Sequence, residues 1–253
     1  MSYATRSLTL VAAATIAFVP TAGSAEAEDP DLGGSTTRSA SGAVRATAKS
    51  QVLAGYAGPG GDTGLRATFR VPDFSCRRDE TSSLLTAVFA NRTIGGGGRP
   101  TLVNGGGGVF LICQAGAPSV RSALYDPTGK PADAGSVAVG DKIRVTYESD
   151  PGAGTASSIL ENLTQDFITV TGPFAYIPTT DFQAGNLAIT MDGSVGGPVP
   201  KVARSSLRPV GVDGRRIRRG RGGLTRYDLV DQDGSPIRTT SKINRAGFTV
   251  TSV

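Results

Sequence analysis

The sequence predicts an all-β domain, a sandwich or a barrel, on three observations. Apolar and polar residues alternate in Leu65 to Val71 (LRATFRV), Lys142 to Tyr147 (KIRVTY) and Phe248 to Val253 (FTVTSV), each bounded by turn residues. Glycine at 35 and proline at 15 of 253 residues work against long helices, because glycine loses most entropy on ordering and proline removes a donor. No stretch carries a sustained helical period. Residues 49–253 fit one domain of this class and are long enough to bury a real core.

Ahead of that domain, residues 1–27 read as a secretory signal peptide. Arg6 supplies the positive charge, Leu8 to Pro20 (LTLVAAATIAFVP) the apolar run, and Ala25 and Ala27 an A-x-A cleavage site. The apolar run is well short of the roughly 20 residues that a bilayer-spanning helix needs, and no later segment is apolar enough. The reading is therefore of an exported, extracellular protein without a membrane span. Residues 28–48, opening EDPDLGGSTTRSASG, are polar, small and aperiodic and read as a disordered lead-in.

Cys76 and Cys113 are the only cysteines. In a chain that passes an oxidising export route they are expected to form a disulfide. Zinc ligation would call for further Cys or His at short spacing, and the chain has no histidine at all. The missing histidine also excludes Ser-His-Asp and Cys-His catalysis and His-based metal sites. What survives is carboxylate chemistry, with Asp or Glu activating water. No cofactor and no metal is expected. Absence of Trp weakens a sugar-stacking platform, and Tyr56, Tyr125, Tyr147, Tyr176 and Tyr227 read as core or sheet-surface residues.

The glycine runs Gly95 to Gly98 and Gly105 to Gly108 lack the Lys-Ser/Thr and the helix of a phosphate cradle and read as flexible loops. Asn91-Arg92-Thr93 and Asn162-Leu163-Thr164 are glycosylation acceptors only in a host that performs the reaction. Gly214 to Gly223 packs Arg215, Arg216, Arg218, Arg219 and Arg221 into one short stretch. Like charges repel and stay solvated, so the plain expectation is an exposed loop. With a formal charge of +5 and a pI near 9.5, the functional alternative is contact with a polyanion such as a wall polymer, lipid or nucleic acid. No aromatic interleaves the arginines, which leaves specific nucleic-acid recognition without support.

From about residue 51 onward the order of motifs resembles the secreted glutamic peptidases, the eqolisin family. LAGYAGPGGDTGLRATFRVPDFSC resembles the family's opening block, with Val71, Pro72 and Cys76 matching and Leu53 in place of a Trp. TAVFANRT sits where the family has an aromatic-rich strand. Val139-Gly140-Asp141-Lys142-Ile143 resembles its GD-x-I strand start, Ser158 to Thr164 (SILENLT) a strand ending in an N-x-T turn, and Tyr227 to Val253 the C-terminal hairpin of bacterial members. The resemblance implies a concanavalin-like, two-sheet antiparallel β-sandwich.

It also implies a mechanism in which a glutamate acts as base on water and a glutamine amide steadies the oxyanion. The matching positions here hold Asn104, in Thr101 to Gly105, and Leu187, in Gly185 to Ile189. Asn is one methylene short, and a leucine cannot activate water. Asp192 falls on the opposite strand face and Asp181, with the right parity, six residues away, so neither substitutes easily. The expected function is a divergent, non-catalytic member that binds peptides or polyanions. The alternatives are an active acid endopeptidase with a differently placed catalytic pair, and a basic cell-surface or wall-polymer-binding protein.

Overall fold

The computed structural model describes residues 47–93, 100–127, 129–179, 181–188, 198–218 and 223–253. The expected signal peptide and nearly all of the lead-in lie outside these residues, as do Gly95 to Gly98, Asp192, Arg219 and Arg221. Sixteen strands are described, with no helix among them. They are β1 (Ala48–Ser50), β2 (Leu53–Pro59), β3 (Gly64–Arg70), β4 (Ser82–Thr93), β5 (Pro100–Gln114), β6 (Ala117–Tyr125), β7 (Pro131–Asp133) and β8 (Lys142–Asp150). The chain continues with β9 (Thr155–Asn162), β10 (Phe167–Ala175), β11 (Asp181–Ala188), β12 (Arg204–Val212), β13 (Arg215–Arg216), β14 (Thr225–Val230), β15 (Pro236–Thr240) and β16 (Phe248–Ser252). The three alternating segments read from the sequence fall in β3, β8 and β16.

Hydrogen bonding follows one path, β10-β9-β8-β3-β12-β16-β15-β14-β2-β11-β4-β5-β6-β7, with β1 parallel to β14 and β13 alongside β12. The path doubles back, so that β5 packs on β8 and β9, and β4 on β3. The strands from β10 to β15 make one sheet of a sandwich, and those from β14 to β7 the other. Between them lies the main core, with Leu65, Ala67 and Phe69 of β3 and Ile143, Val145 and Tyr147 of β8 facing Leu84 and Val88 of β4 and Phe182 and Ala184 of β11. Alternation with period two is what sends these residues inward and their neighbours out.

Cys76 and Cys113 are joined, with Cα atoms 5.5 Å apart, tying the segment after β3 to the end of β5. Arg238 is buried, with no carboxylate partner among the described residues. It donates to the carbonyl of Val202 at 2.8 Å and to Ser252 Oγ at 3.2 Å, clipping β15 and β16 to the segment before β12, and burial lowers its pKa to about 10.

Gly105 to Gly108 are not a loop but the middle of β5, paired with β4 on one side and β6 on the other. The reason is steric. A Cβ at Gly106 would lie 2.2 Å from the Val88 carbonyl oxygen, and one at Gly108 2.2 Å from that of Thr86. Gly106 also holds φ at 117°, which side chains disfavour. The run is required by close strand approach, a need that composition alone cannot display.

The sequon at Asn162 is likewise structural. Asn162 is buried; its amide donates to Asp141 at 2.7 Å, and its carbonyl accepts from the backbone of Thr164 and Gln165 at 3.1 Å. Asp141 in turn accepts from Ala138 N and Gln165 Nε2. The N-x-T turn and the G-D strand start thus form one hydrogen-bonded knot that closes β8 against the β9–β10 turn.

Two stability effects follow. Replacing both cysteines by Ser is expected to cost about 4 kcal/mol in denaturant unfolding, since the bridge closes a loop with a sequence separation of 37; a labelling assay on the unreduced protein should find no free thiol. Gly106→Ala is expected to cost roughly 3 kcal/mol from strain and collision with β4, whereas Gly214→Ala, where an added Cβ meets nothing within 4 Å, pays only the smaller strain of its positive φ. Comparing their unfolding midpoints checks this.

Candidate functional site

The face of the second sheet turned away from the main core can be read residue by residue from the strand register. Leu187 of β11 lies between Leu53 of β2 and Leu85 of β4. Two residues back, Gly185 lies between Gly55 and Ala87, and Gln183 between Ala57 and Phe89. Asp181 ends the row, between Pro59 and Asn91. Across β5 the rows continue to Phe110, Gly108 and Gly106, and on β6 to Arg121, Ala123 and Tyr125.

Most of this face is an apolar cluster of its own, made of Leu53, Leu85, Ala87, Phe89, Ala123, Tyr125 and Leu187, with Ala57, Phe110 and Tyr227 packed around it. Phe89 and Tyr125 stack edge to face across Gly106, ring centres 5.1 Å apart. Desolvation pushes the Tyr125 phenol well above its usual range. The floor is flat because Gly55 and Gly185 oppose each other so closely that a Cβ on either would lie 2.2 Å from the partner strand's carbonyl oxygen.

Leu187 is only 2% exposed. It is a packed residue of the outer apolar cluster. Asn104 belongs to β5 by its backbone, as the extra residue of a bulge where Ala90 faces Gly105 and Asn91 faces Val103; its side chain lies outside the described ones. Asp181 and Gln183 do share this face. Both are half-buried, and same-face neighbours on one strand stand about 7 Å apart. Asp181 is anticipated from parity. Gln183 was missed, although the same parity, counted four residues back from Leu187, would have found it.

Other carboxylates are spent as structural acceptors. Asp213 takes Gly61 N at 2.9 Å and Thr63 N at 3.0 Å, Glu80 takes Arg77 N at 2.7 Å, and Asp62 takes Thr179 N at 3.1 Å and the Tyr176 hydroxyl. The bond to Asp62 raises the Tyr176 pKa to about 12, which keeps the phenol a donor. These groups tie turns to strands.

Of the arginine block, Arg215 and Arg216 are not loop but the short strand β13, and with Arg218 they are exposed. The strand forms because Ile217, fully buried, anchors the segment against Val210, so that flanking arginines are held outward.

No protein-family model matches the chain, and no curated protein does. Solved structures do. Scytalido-glutamic peptidase with a peptide-based transition-state analogue superposes with a TM-score of 0.59 at 15% identity, covering 80% of this chain and all of that one. SCP-B, a member of the eqolisin family of peptidases in complex with the tripeptide Ala-Ile-His, gives 0.56 at 14% over 80% of this chain and all of its own. Aspergilloglutamic peptidase from Aspergillus niger gives 0.50 at 17%, over 69% of this chain and all of its own. The likeness is one of fold, a two-sheet β-sandwich.

Leu187→Glu tests how tightly this face is packed. It is expected to destabilise the domain by several kcal/mol at neutral pH, because a carboxylate among Leu53, Leu85 and Ala87 is unpaired. Burial raises the folded-state pKa above the unfolded value near 4.3, so the penalty is smallest below pH 4 and grows as pH rises through that window. Urea unfolding at several pH values measures both.

Proposed function

We propose that this chain is an exported β-sandwich of glutamic-peptidase type that does not hydrolyse peptides. The observation that carries the reading is Leu187. By sequence resemblance it stands at the glutamate position, and it is buried between Leu53 and Leu85, where neither water nor a scissile bond reaches it. Asn104 at the glutamine position supports the same reading, since a shortened amide falls short of an oxyanion donor's place. Loss of one such donor typically costs 10²- to 10³-fold, and loss of the base leaves little turnover. What remains on this face is a platform of Ala57, Phe110, Tyr227 and Gln183, suited to an extended peptide without cleaving it. The disulfide supports an oxidising, extracellular setting.

One arrangement favours a second reading, an active acid endopeptidase. Asp181 and Gln183 bring a carboxylate and an amide to one face at neighbouring same-face positions, the two groups such chemistry uses.

The two readings separate in one experiment. Purified protein is incubated with denatured protein substrates between pH 2 and 5. No cleavage is the expected result, for wild type, Asp181→Asn and Gln183→Leu alike. Robust cleavage by wild type, abolished by Asp181→Asn in a variant that still unfolds cooperatively, overturns the non-catalytic reading in favour of the second.

A further inference from the structure

The opposite face of the molecule, the outer side of the first sheet, carries a different chemistry. Arg216 of β13 lies opposite Gly211 of β12, and Gly211 opposite Arg66 of β3; the row runs on through Thr146, Ile159 and Val170. The next row is Thr68, Arg144, Glu161 and Ile168, and beyond it Arg70 pairs with Lys142. Leu65, Ala67, Phe69, Ile143 and Val145 alternate with these residues into the core, so the cations stand on the outside. Arg204 joins them, because Ser205 beside it is buried facing Val250.

Six cations therefore share this face with three carboxylates, Glu148, Asp150 and Glu161. Glu161 holds Arg144 at 3.0 Å, while Arg66 meets Glu148 only at 3.9 Å with both side chains more than half exposed. Among the described residues, Lys142, Arg204 and Arg216 have no carboxylate within ion-pair distance. A sheet face with a surplus of three positive charges is an anion-facing surface.

The second observation is apolar. Five large hydrophobic residues are exposed among the described ones, and four of them border these basic rows: Val139 at 46%, Leu163 at 36%, Ile168 at 65% and Val170 at 55%. Val139 precedes Gly140, whose carbonyl takes the Arg70 guanidinium at 2.7 Å. Leu163 donates its N–H to the Lys142 carbonyl at 2.8 Å. Ile168 and Val170 project from the edge strand β10 beside Glu161 and Ile159. Ile168 and Val170 stand two residues apart on the outer side of one edge strand, with Val139 and Leu163 exposed in the turns that flank Lys142 and Asn162, and a group of this kind is not the single scattered residue that needs no explanation.

A soluble polyanion rewards the cations alone. A bilayer surface rewards both groups, phosphates meeting the cations and the interfacial layer taking up the apolar side chains. We infer that this face docks peripherally on an anionic lipid surface, with Arg66, Arg70, Lys142 and Arg216 against headgroups and Ile168 and Val170 entering the interface. The inference is independent of whether the other face cleaves peptides.

Co-sedimentation of the exported form, beginning at Glu28, with vesicles of phosphatidylcholine and phosphatidylglycerol (3:1) tests it. Binding is expected to these vesicles, not to pure phosphatidylcholine, and to weaken steeply between 50 and 500 mM salt. Arg66→Gln with Lys142→Gln should weaken partitioning about 25-fold, taking roughly fivefold per cation near the surface, and Ile168→Ser with Val170→Ser about tenfold. Arg121→Gln, on the other sheet, should bind as wild type; thermal unfolding of each variant reports that it is folded. Equal binding to both vesicle types overturns the proposal. So does full binding by the Ile168/Val170 variant together with competition by soluble polyphosphate, which would mark a polyanion site. A salt-insensitive dimer that this variant abolishes, without vesicle binding, would assign β10 to a second copy instead.

Discussion

The register of β11 between β2 and β4 is the constraint on which the rest of the second sheet depends. β11 is buried on both faces, Phe182, Ala184 and Ala188 toward the main core and Leu187 into the outer cluster. A slip of one residue would turn Leu187 and Gln183 inward and put Phe182 and Asn186 outside. Asn186 pins the register from the inside, donating to Thr86 Oγ1 at 2.8 Å in a buried pair directly across from it. Gly55 and Gly185 pin it from the other side, since only two glycines pass each other at this distance. Wherever this strand pair shifted, every candidate residue on the face would shift with it.

Much of the fold is legible because burial of one face writes itself as alternation. β3, β8 and β16 are each bounded by solvent on one side, and their polar residues mark it. The disulfide is legible because two cysteines without a third ligand have few other fates once the sequence is read as exported. β11 and β4 are harder, because strands buried on both faces read as unbroken apolar or small residues. Gly105 to Gly108 misleads for the same reason carried further. A strand squeezed between β4 and β6 keeps no side chains to alternate, and the run looks like a loop until the Val88 and Thr86 carbonyls are seen against it. Asn162 looks like a modification site because the three-residue pattern carries no information about burial.

The candidate site was partly legible. Parity told that Asp181 shares the side of Leu187. The same parity puts Gln183 on that side as well. What no sequence reading supplied is how the acidic residues are employed. Asp213, Asp141, Glu80 and Asp62 each accept two or more hydrogen bonds from turns, and such ionised acceptors contribute more than neutral ones. A carboxylate used in this way is committed to holding a turn in place.

The two outer faces divide the chain's chemistry between them. The second sheet's face carries little charge, with Asp181, Arg121 and Asp133 at its margins, whereas the first sheet's face gathers five cations in three rows with Arg204 beyond them. The division has a structural cause. Outer positions of β3, β8 and β12 alternate with a continuous core, so long charged side chains stand in solvent and cover Thr68 and Thr146 beneath them. The close-packed glycine strands of the other sheet have no room for such side chains on their floor. A molecule built this way meets a surface with one side and leaves the other free, and the direction in which it faces follows from where its glycines are.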